Sequence, residues 1–306
     1  MESPAALARR RHFGDFYRIS ETHSTSGEPL GLVMGNCQAE SLRIALGDST
    51  ARFVRTPPIH ELVADDMPYL QHWLHRSDVL ISQPVAAGYH GLPLGTGELI
   101  AGLRSGARSV VFPVIRFAGL YPYHVIVRPP SAPSLSPPLV AYHDLRLLGE
   151  ASDGVRRGND ATAARIRAIA DESRAQLEER ERRHGAIAIS DLFERPHFEL
   201  MRTINHPGNP VWAELARRIL ERLGTAADPA DPGRPLLDSV HAPREASTIE
   251  AWGLGDDPTD HWLIAGARVP AEQVREAHLD WYRKHPEVIS AGLVRHATAA
   301  RALGIA

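Results

Sequence analysis

Cysteine is nearly absent from the 306-residue chain, which has a single one, Cys37. One thiol excludes an intramolecular disulfide and any metal site that needs two thiolates. The 16 histidines do not change this conclusion, because the sequence has no HExxH motif and no zinc-type Cys/His spacing. The sequence therefore predicts no metal site.

Long apolar runs and an excess of one charge are also missing. No apolar window approaches the roughly 20 residues of a membrane span, and none of signal-peptide length follows the basic start of the chain. The 34 basic and 37 acidic residues are spread along the sequence, with a formal net charge of −3. No broad positive field is available for nucleic acid. These absences predict a soluble, cytoplasmic protein without a nucleic-acid partner.

Short apolar segments alternate with helical patterns in the first part of the chain. Residues 29–34 are apolar and end at a glycine, and the residues that follow have apolar positions at helical spacing. Residues 77–85 and 107–115 have the pattern of further buried strands. Strands separated by helices predict an α/β fold, with a parallel sheet flanked by helices and ligands at the carboxyl ends of the strands.

The second part of the chain is predicted to be mainly helical. Residues 128–139 are rich in proline and serine and predict an extended connector. Residues 160–184 predict a long, largely solvated helix whose apolar stripe is Ile166, Ile169 and Leu177. Amphipathic helices are predicted over 210–224 and from 270 onward.

These patterns predict three segments. An N-terminal extension covers 1–27, an α/β core with a helical insertion at about 140–200 covers 28–224, and a mainly helical extension covers 225–306. The residues Asn159 and Asp160 are expected to cap the long helix. The glycine-rich stretch 88–102 is interpreted as a flexible loop, with pyrophosphate binding at a helix start as the alternative.

The segment Gly35-Asn36-Cys37-Gln38 places the only thiol at a turn between a buried strand and a helix. Free backbone N–H groups and the helix dipole lower the pKa of a thiol there, and the same donors can hold an oxyanion. The turn is therefore a candidate nucleophile site. The alternative is a small buried hydrophobic side chain, but the polar neighbours Asn36 and Gln38 favour a chemical role.

A second candidate is His206, which is followed by proline and precedes an amphipathic helix. A histidine on a rigid loop can take and return a proton near neutral pH. The alternative is a surface or packing role. Pairing with Cys37 would favour the chemical role, because a cysteine–histidine couple activates a thiol.

Five motifs follow one another along the chain and together resemble the WcbI-type polysaccharide-biosynthesis family. They are GNCQ, SQP at 82–84, FPVIRFAGLYPY at 112–123, YHD at 142–144 and the TINHPGNPV segment that contains His206. The resemblance spans residues 29–224. It implies coenzyme A binding, with acetyl-CoA as acyl donor, and transfer of an acetyl group to a hydroxyl. The implied acceptor is a saccharide or another small molecule: a sugar, a glycan precursor or a related metabolite.

That family is in turn similar to the SGNH hydrolases, and this similarity implies residue roles. Cys37 takes the place of the serine nucleophile and His206 that of the base, while Gln83 becomes a polar donor near the oxyanion, which the turn residues 35–38 also bind. The chain departs from the D-x-x-H pattern of those enzymes, because Thr203 stands where the aspartate is expected. Asn205, a backbone carbonyl or Asp191 are the candidates to orient the imidazole instead.

Further side chains near these motifs are candidates for a substrate or coenzyme A pocket. They are Ser82, Arg116, Tyr121, Tyr123, His143 and Asn205. For the tyrosines, the alternative is a core position with a hydrogen-bonded tip. The arginines of the long helix are interpreted as part of a solvated face, with binding of the coenzyme A phosphates by Arg165, Arg167 or Arg174 as the alternative.

The sequence therefore predicts a coenzyme-A-dependent acyltransferase that uses Cys37 and His206. Both an acetyl-Cys37 intermediate and direct transfer remain open. The alternatives are an esterase or thioesterase, in which water replaces the acceptor, and a non-catalytic protein that binds acyl-CoA or a glycan. The sequence does not indicate an oligomeric state.

Overall fold

The structure is a computed structural model that describes residues 4–19, 28–48, 50–129, 131–158 and 161–305. The chain divides into two compact units. The first contains the residues up to Val114, Glu178–Ile189 and Asn209–Leu236, and the second contains Ile115–Leu177, Ser190–Gly208 and the residues from Leu237. The three segments predicted above stay a prediction.

The described elements are numbered in chain order. The helices are α1 (Pro4–His12), α2 (Cys37–Leu46), α3 (Met67–Leu74), α4 (Thr96–Ala101), α5 (Leu145–Asp153), α6 (Ala163–His184), α7 (Asn209–Arg222), α8 (Ala246–Trp252), α9 (Ala271–Tyr282), α10 (Pro286–Arg295) and α11 (Ala297–Leu303). The strands are β1 (Leu30–Met34), β2 (Arg52–Val54), β3 (Val79–Ser82), β4 (Arg108–Val111), β5 (His124–Val125), β6 (His143–Asp144), β7 (Met201–Thr203), β8 (His206–Pro207), β9 (Val240–His241), β10 (His261–Ile264) and β11 (Ala267–Pro270).

The first unit is built on a four-stranded parallel sheet with the order β2-β1-β3-β4. Every residue of β1 and β3 is buried, as expected for apolar strands covered on both faces. The register pairs Met34 with Ser82, so β1 and β3 end side by side. The predicted α/β fold and three of its strands are confirmed. The short β2 was missed because three residues give no periodic signal.

The helix α7 corresponds to the amphipathic segment predicted over 210–224. Its apolar face is fully buried and consists of Val211, Trp212, Leu215, Ala216 and Ile219. Within the first unit α7 packs against α2, and Gly224 follows its end with a left-handed φ of 69°. The core of this unit further contains Leu32, Met34, Leu70, Leu80 and Leu99.

The second unit has three small antiparallel sheets, formed by β5 with β6, β7 with β8, and β9, β10 and β11. Its core includes Tyr123, Leu145 and Tyr282. The predicted long helix is α6, and burial of Ile166, Ile169 and Leu177 confirms its apolar stripe. The predicted caps Asn159 and Asp160 lie outside the described residues.

The stretch 88–102 is more ordered than the predicted flexible loop, since it contains the 3-10 turn Tyr89–Gly91 and the helix α4. The Glu98 carboxylate accepts hydrogen bonds from the N–H groups of Gly88 and Gly95, at 3.1 and 2.7 Å. The chain's own carboxylate thus occupies the start of α4, which argues against pyrophosphate binding there. Residues 128, 129 and 131–139 form neither helix nor strand. No helix in the described parts has both the length and the apolar character that a membrane crossing requires.

Candidate functional site

A sharp turn after β1 places Cys37 at the first residue of α2. Asn36 is the N-cap of this helix, and its Oδ1 accepts a hydrogen bond from the Gln38 N–H at 2.9 Å. The Asn36 carbonyl accepts a second one from the Ala39 N–H, also at 2.9 Å. Cys37 itself is exposed. The alternative of a buried hydrophobic cysteine is therefore wrong, and the thiol is accessible.

Gln83, directly after β3, holds this turn in place. Its Oε1 accepts a hydrogen bond from the Asn36 N–H at 2.9 Å, and its Nε2 donates to Gln38 Oε1 at 3.0 Å. A Cβ atom at Gly35 would lie 2.6 Å from Gln83 Oε1, so glycine is the residue that leaves room for this contact. We call these contacts of Gln83 with Asn36 and Gln38 the Gln83 clamp. They give Gln83, only 2% exposed, a positioning role in place of the predicted contact with an oxyanion.

Two donors of the turn make no hydrogen bond with another residue that the structure describes. They are the backbone N–H of Cys37 and the side-chain Nδ2 of Asn36. The Gln83 clamp and the helix cap fix the orientation of both groups. Fixed donors next to a nucleophile are what an oxyanion requires, so these two are the candidates.

The surroundings of Cys37 raise the pKa of its thiol. Desolvation by neighbouring protein atoms is the main cause, and the Glu61 carboxylate acts in the same direction, while the N–H groups of Cys37 and Gln38 oppose it. The predicted lowering of this pKa is therefore wrong in direction, because desolvation outweighs the helix start. The thiol is protonated at neutral pH and needs a base in order to attack.

Replacing Gln83 by alanine is expected to lower the free energy of unfolding by about 2 kcal/mol, since one buried and one partly buried hydrogen bond are lost at about 1 kcal/mol each. Urea unfolding of the purified variant measures the change. Gln71 on α3 is exposed, and its alanine variant is the matched control with an expected change within about 0.5 kcal/mol. Equal stability of the two variants would contradict a structural role for the Gln83 clamp.

In the second unit, His206 lies in the wall of a cavity of about 260 Å³ that Arg128, Tyr142 and Asn205 also line. We call it the His206 cavity. The chain there is fixed by Gly208, whose N–H donates to the Leu200 carbonyl at 2.8 Å. A Cβ atom at Gly208 would lie 1.8 Å from the backbone oxygen of Glu199. The glycine after His206 and Pro207 is therefore required by a close approach of two backbone segments.

The imidazole of His206 is unprotonated at neutral pH. Its pKa is lowered to about 4, mainly by desolvation and also by Arg202 and His241. A hydrogen bond with the backbone of Val240 acts in the opposite direction and raises the pKa, but it is outweighed. The predicted titration near neutral pH is therefore wrong. The Nδ1 atom is buried without a hydrogen-bond partner, so neither Asn205 nor Asp191 holds it.

The residues expected to orient His206 form a separate network. Tyr142 donates its hydroxyl to Asn205 Oδ1 at 2.7 Å, and Thr203 Oγ1 donates to the Tyr142 hydroxyl at 2.9 Å. The rings of Tyr142 and His206 meet edge to face, with centroids 6.1 Å apart. Thr203, at the place of the missing aspartate, therefore supports Tyr142 in the cavity wall.

Three exposed arginines of the second unit have no carboxylate partner among the described residues. They are Arg116, Arg128 and Arg295. Desolvation and the charges of Arg295 and Arg128 together lower the pKa of Arg116, which shows that the positive charges lie near one another. By contrast, Arg165 and Arg167 donate to backbone carbonyls, so they are poorer candidates for phosphate than predicted.

Four of the predicted pocket residues are core residues. Ser82 donates to the Gln83 carbonyl at 2.8 Å, Tyr121 donates to the Met201 carbonyl at 3.0 Å, and the Tyr123 hydroxyl accepts from the Ala161 N–H at 3.1 Å. His143 pairs with the Tyr282 hydroxyl at 2.7 Å. Each is at most 3% exposed, so none contacts a ligand without rearrangement. Arg116 and Asn205 keep accessible positions.

The sequence interpretation missed Arg128 and Tyr142 as wall residues of the His206 cavity. Arg128 opens the proline-rich connector, where composition predicts only an extended chain. Tyr142 had a usable signal, because it begins the YHD motif. Within the residues that the structure describes, no three His, Cys, Asp or Glu side chains are grouped as metal ligands would be.

A parallel sheet whose first strand leads through a clamped turn to a cysteine at a helix start defines an α/β protein with a candidate thiol site. The sequence model of the WcbI polysaccharide biosynthesis enzyme family matches residues 30–228. The chain therefore belongs to this family, which confirms the resemblance. The search of curated proteins gave no match.

A solved structure of WcbI has the same fold. It is described as a novel polysaccharide biosynthesis enzyme, the native protein without a disulfide bond between coenzyme A and a cysteine. It shares 19% identity with this chain and has a TM-score of 0.76, over 91% of this chain and 98% of the other. At this identity the likeness establishes the fold.

Proposed function

We propose that the protein is a coenzyme-A-dependent acyltransferase that moves an acyl group, with acetyl as the first candidate, to a hydroxyl of a sugar, a glycan precursor or a related metabolite. The observation that carries the proposal is the exposed Cys37 thiol on the clamped turn. The polysaccharide biosynthesis family supports a saccharide acceptor. The description of the solved WcbI structure, which names coenzyme A together with a cysteine, supports the donor.

The first half-reaction forms a thioester on Cys37. The sulfur attacks the carbonyl carbon of acyl-CoA, the bond between this carbon and the sulfur of coenzyme A breaks, and the thiol proton ends on the departing thiolate. We assign the oxyanion to the Cys37 N–H and Asn36 Nδ2. One thioester replaces another, so the step needs little net free energy.

The second half-reaction delivers the acyl group. The acceptor hydroxyl attacks the acyl carbon, the bond to the Cys37 sulfur breaks, and the hydroxyl proton returns to that sulfur. We assign the proton transfers to His206, which is unprotonated at neutral pH; its lowered pKa of about 4 makes it a weaker base than an ordinary imidazole. Direct transfer, with His206 activating the acceptor, differs in having no acyl-Cys37.

We assign the phosphates of coenzyme A to Arg116, Arg128 and Arg295. Guanidinium groups bind phosphate oxygens through parallel N–H donors. These arginines have no carboxylate partner within the described chain, so binding a phosphate would not require them to break an ion pair.

The test is intact-protein mass spectrometry after incubation with acetyl-CoA. We expect an acetyl-sized mass gain on the wild type, none on Cys37→Ala, and formation slowed on the order of 100-fold in His206→Gln, since positioned general bases contribute about that much. His75, exposed directly after α3, provides the control His75→Gln, which should acylate at the wild-type rate.

The other outcomes separate the alternatives. Release of coenzyme A without acceptor indicates a hydrolase, and acceptor-dependent release without an adduct indicates direct transfer. Binding of coenzyme A in a thermal-shift assay without any turnover indicates a binding protein. Failure of the wild type to bind coenzyme A would contradict the proposal.

A further inference from the structure

A second cavity of the second unit, of about 720 Å³, has no role in the function proposed so far. Side chains of β6, β10, α5 and α9 line it, together with the segments that directly precede α8 and β10. We call it the large cavity. Its volume lies within the range of roughly 300–1,000 Å³ that is typical of small-ligand sites.

Most charged groups in the wall of the large cavity are paired with an opposite charge. Arg146 contacts the carboxylates of Asp144 and Glu245 at 2.6 and 2.7 Å, and Arg275 contacts Glu272 at 3.1 Å. A ligand with a net charge would have to disrupt such pairs. An uncharged ligand with many hydroxyl groups would not, because carboxylate oxygens and guanidinium N–H groups still offer acceptors and donors to hydroxyls.

The indole nitrogen of Trp262 in this wall has no hydrogen-bond partner among the described residues. The Trp262 side chain is only 5% exposed, but its Nε1 atom is not one of the fully buried unpaired atoms and keeps accessible surface. The unpaired Nδ1 atoms of His124 and His278 are fully buried and do not contact the cavity's contents. The Trp262 N–H is therefore a fixed donor, available to an oxygen of a polar ligand.

The aromatic part of the wall connects the large cavity to the His206 cavity. Trp262 stacks between His124 and Tyr142, with ring centroids 5.0 and 5.9 Å apart. Tyr142 lines both cavities and meets the ring of His206 edge to face. A ligand in the large cavity therefore lies one aromatic side chain away from the cavity that contains the proposed base.

We infer that the large cavity binds an uncharged, polyhydroxylated sugar ring of the acyl acceptor. This inference rests on the proposed function, since it gives that reaction the location of its acceptor. The indole N–H of Trp262 donates to a sugar oxygen, and the paired carboxylates and arginines hold the remaining hydroxyls. Trp262, Arg244, Glu245 and Glu272 all follow the family-matched segment 30–228, so the selection of the acceptor lies largely outside that segment.

The test measures binding of neutral methyl glycosides of glucose, galactose and mannose to the full chain by ligand-observed NMR titration. We expect at least one to bind, and Trp262→Phe to weaken it about tenfold, the loss of one hydrogen bond of about 1.4 kcal/mol. Trp252→Phe is the matched control, because the Trp252 indole N–H already donates to the Gly119 carbonyl at 3.0 Å. The control should bind as the wild type does.

A second pair of variants covers the case in which Trp262→Phe does not fold. Glu272→Gln replaces one acceptor oxygen of the cavity wall by an NH2 donor, while Glu276→Gln makes the same change at an exposed residue of α9 that is not part of the wall. Weaker glycoside binding in the first variant alone supports the inference. Glucose 6-phosphate, as a charged probe, should bind more weakly than methyl glucoside.

The outcomes separate this inference from the proposed function. If acyl-Cys37 forms but the glycosides do not bind, or bind equally to all variants, the acceptor site is wrong and the acyltransferase stands. If glycosides bind and Trp262→Phe loses them while no acyl transfer occurs, the sugar site stands and the acyltransferase fails. Tighter binding of the charged probe than of every neutral glycoside would also overturn the inference.

Discussion

Replacing Arg146 by alanine is expected to lower the free energy of unfolding by about 3–5 kcal/mol, the typical cost of removing one partner from a buried ion pair. The guanidinium contacts two carboxylates, of Asp144 and Glu245, and lies 3.9 Å from the centroid of the Tyr123 ring. The side chains of Asp144 and Glu245 are only 14% and 22% exposed. Without Arg146, the two poorly solvated carboxylates lose the positive charge that both of them contact.

The measurement is chemical unfolding at pH 7, with Arg182→Ala as control. Arg182 pairs with Glu179 at 2.5 Å, but its side chain is 76% exposed, so the expected loss is within about 0.5 kcal/mol. Arg146 also holds the pKa of Asp144 below its usual range, against desolvation that acts in the opposite direction. The difference between wild type and Arg146→Ala should therefore shrink as acid protonates the carboxylates. Similar losses in the two variants would refute the buried network.

Mild acid is expected to destabilise the protein strongly. Desolvation lowers the pKa of His124 to about 4 and that of His143 to about 3. In the unfolded chain both have the ordinary value near 6.5 and take up protons first. The unfolded state therefore binds more protons below about pH 6.5, and stability falls from there down to the folded pKa values. At pH 5 each histidine should cost about 2 kcal/mol.

Urea unfolding from pH 7.5 to 5 measures this effect. His143→Leu should reduce the loss of stability at pH 5 by about 2 kcal/mol, because the contribution of one titrating side chain is gone. The exposed His75, replaced by glutamine, controls for the removal of a histidine. A pH profile of His143→Leu that parallels the wild type would mean that His143 does not titrate in this way.

The parallel sheet could be predicted because its strands are short, uniformly apolar segments. β1 and β3 are buried on both faces, and such strands appear in a sequence as continuous apolar runs. The helix α7 could be predicted for the corresponding reason, since its buried residues recur at helical spacing. By contrast, most residues of β9 and β10 are half-buried. These strands therefore show neither a continuous apolar run nor apolar residues at helical spacing.

The electrostatics of the candidate site could not be predicted from the sequence. The helix start next to Cys37 suggests a lowered thiol pKa, but desolvation depends on chain segments far away in sequence and raises it. The same holds for His206, where burial with Arg202 and His241 nearby lowers the pKa. Motifs therefore indicated which residues to consider, while their protonation depended on packing.

The partners of Gln83 also depend on the register of two strands. Its amide reaches the turn because Met34 pairs with Ser82 in the parallel sheet. A sequence motif such as SQP indicates a polar residue after a strand but not which neighbouring backbone group it bonds. For this reason Gln83 was expected at an oxyanion and instead holds Asn36 and Gln38.

The Gln83 clamp has a consequence for how the chemistry of such a turn can diversify. Its hydrogen bonds use the backbone of Asn36 and the side chains of Gln38 and Gln83, and none involves the side chain at position 37. The shape of the turn and the identity of its reactive atom are therefore separable. A fold of this kind can exchange sulfur for oxygen at one codon and keep its architecture, so that one ancestral turn can serve both thiol and hydroxyl chemistry.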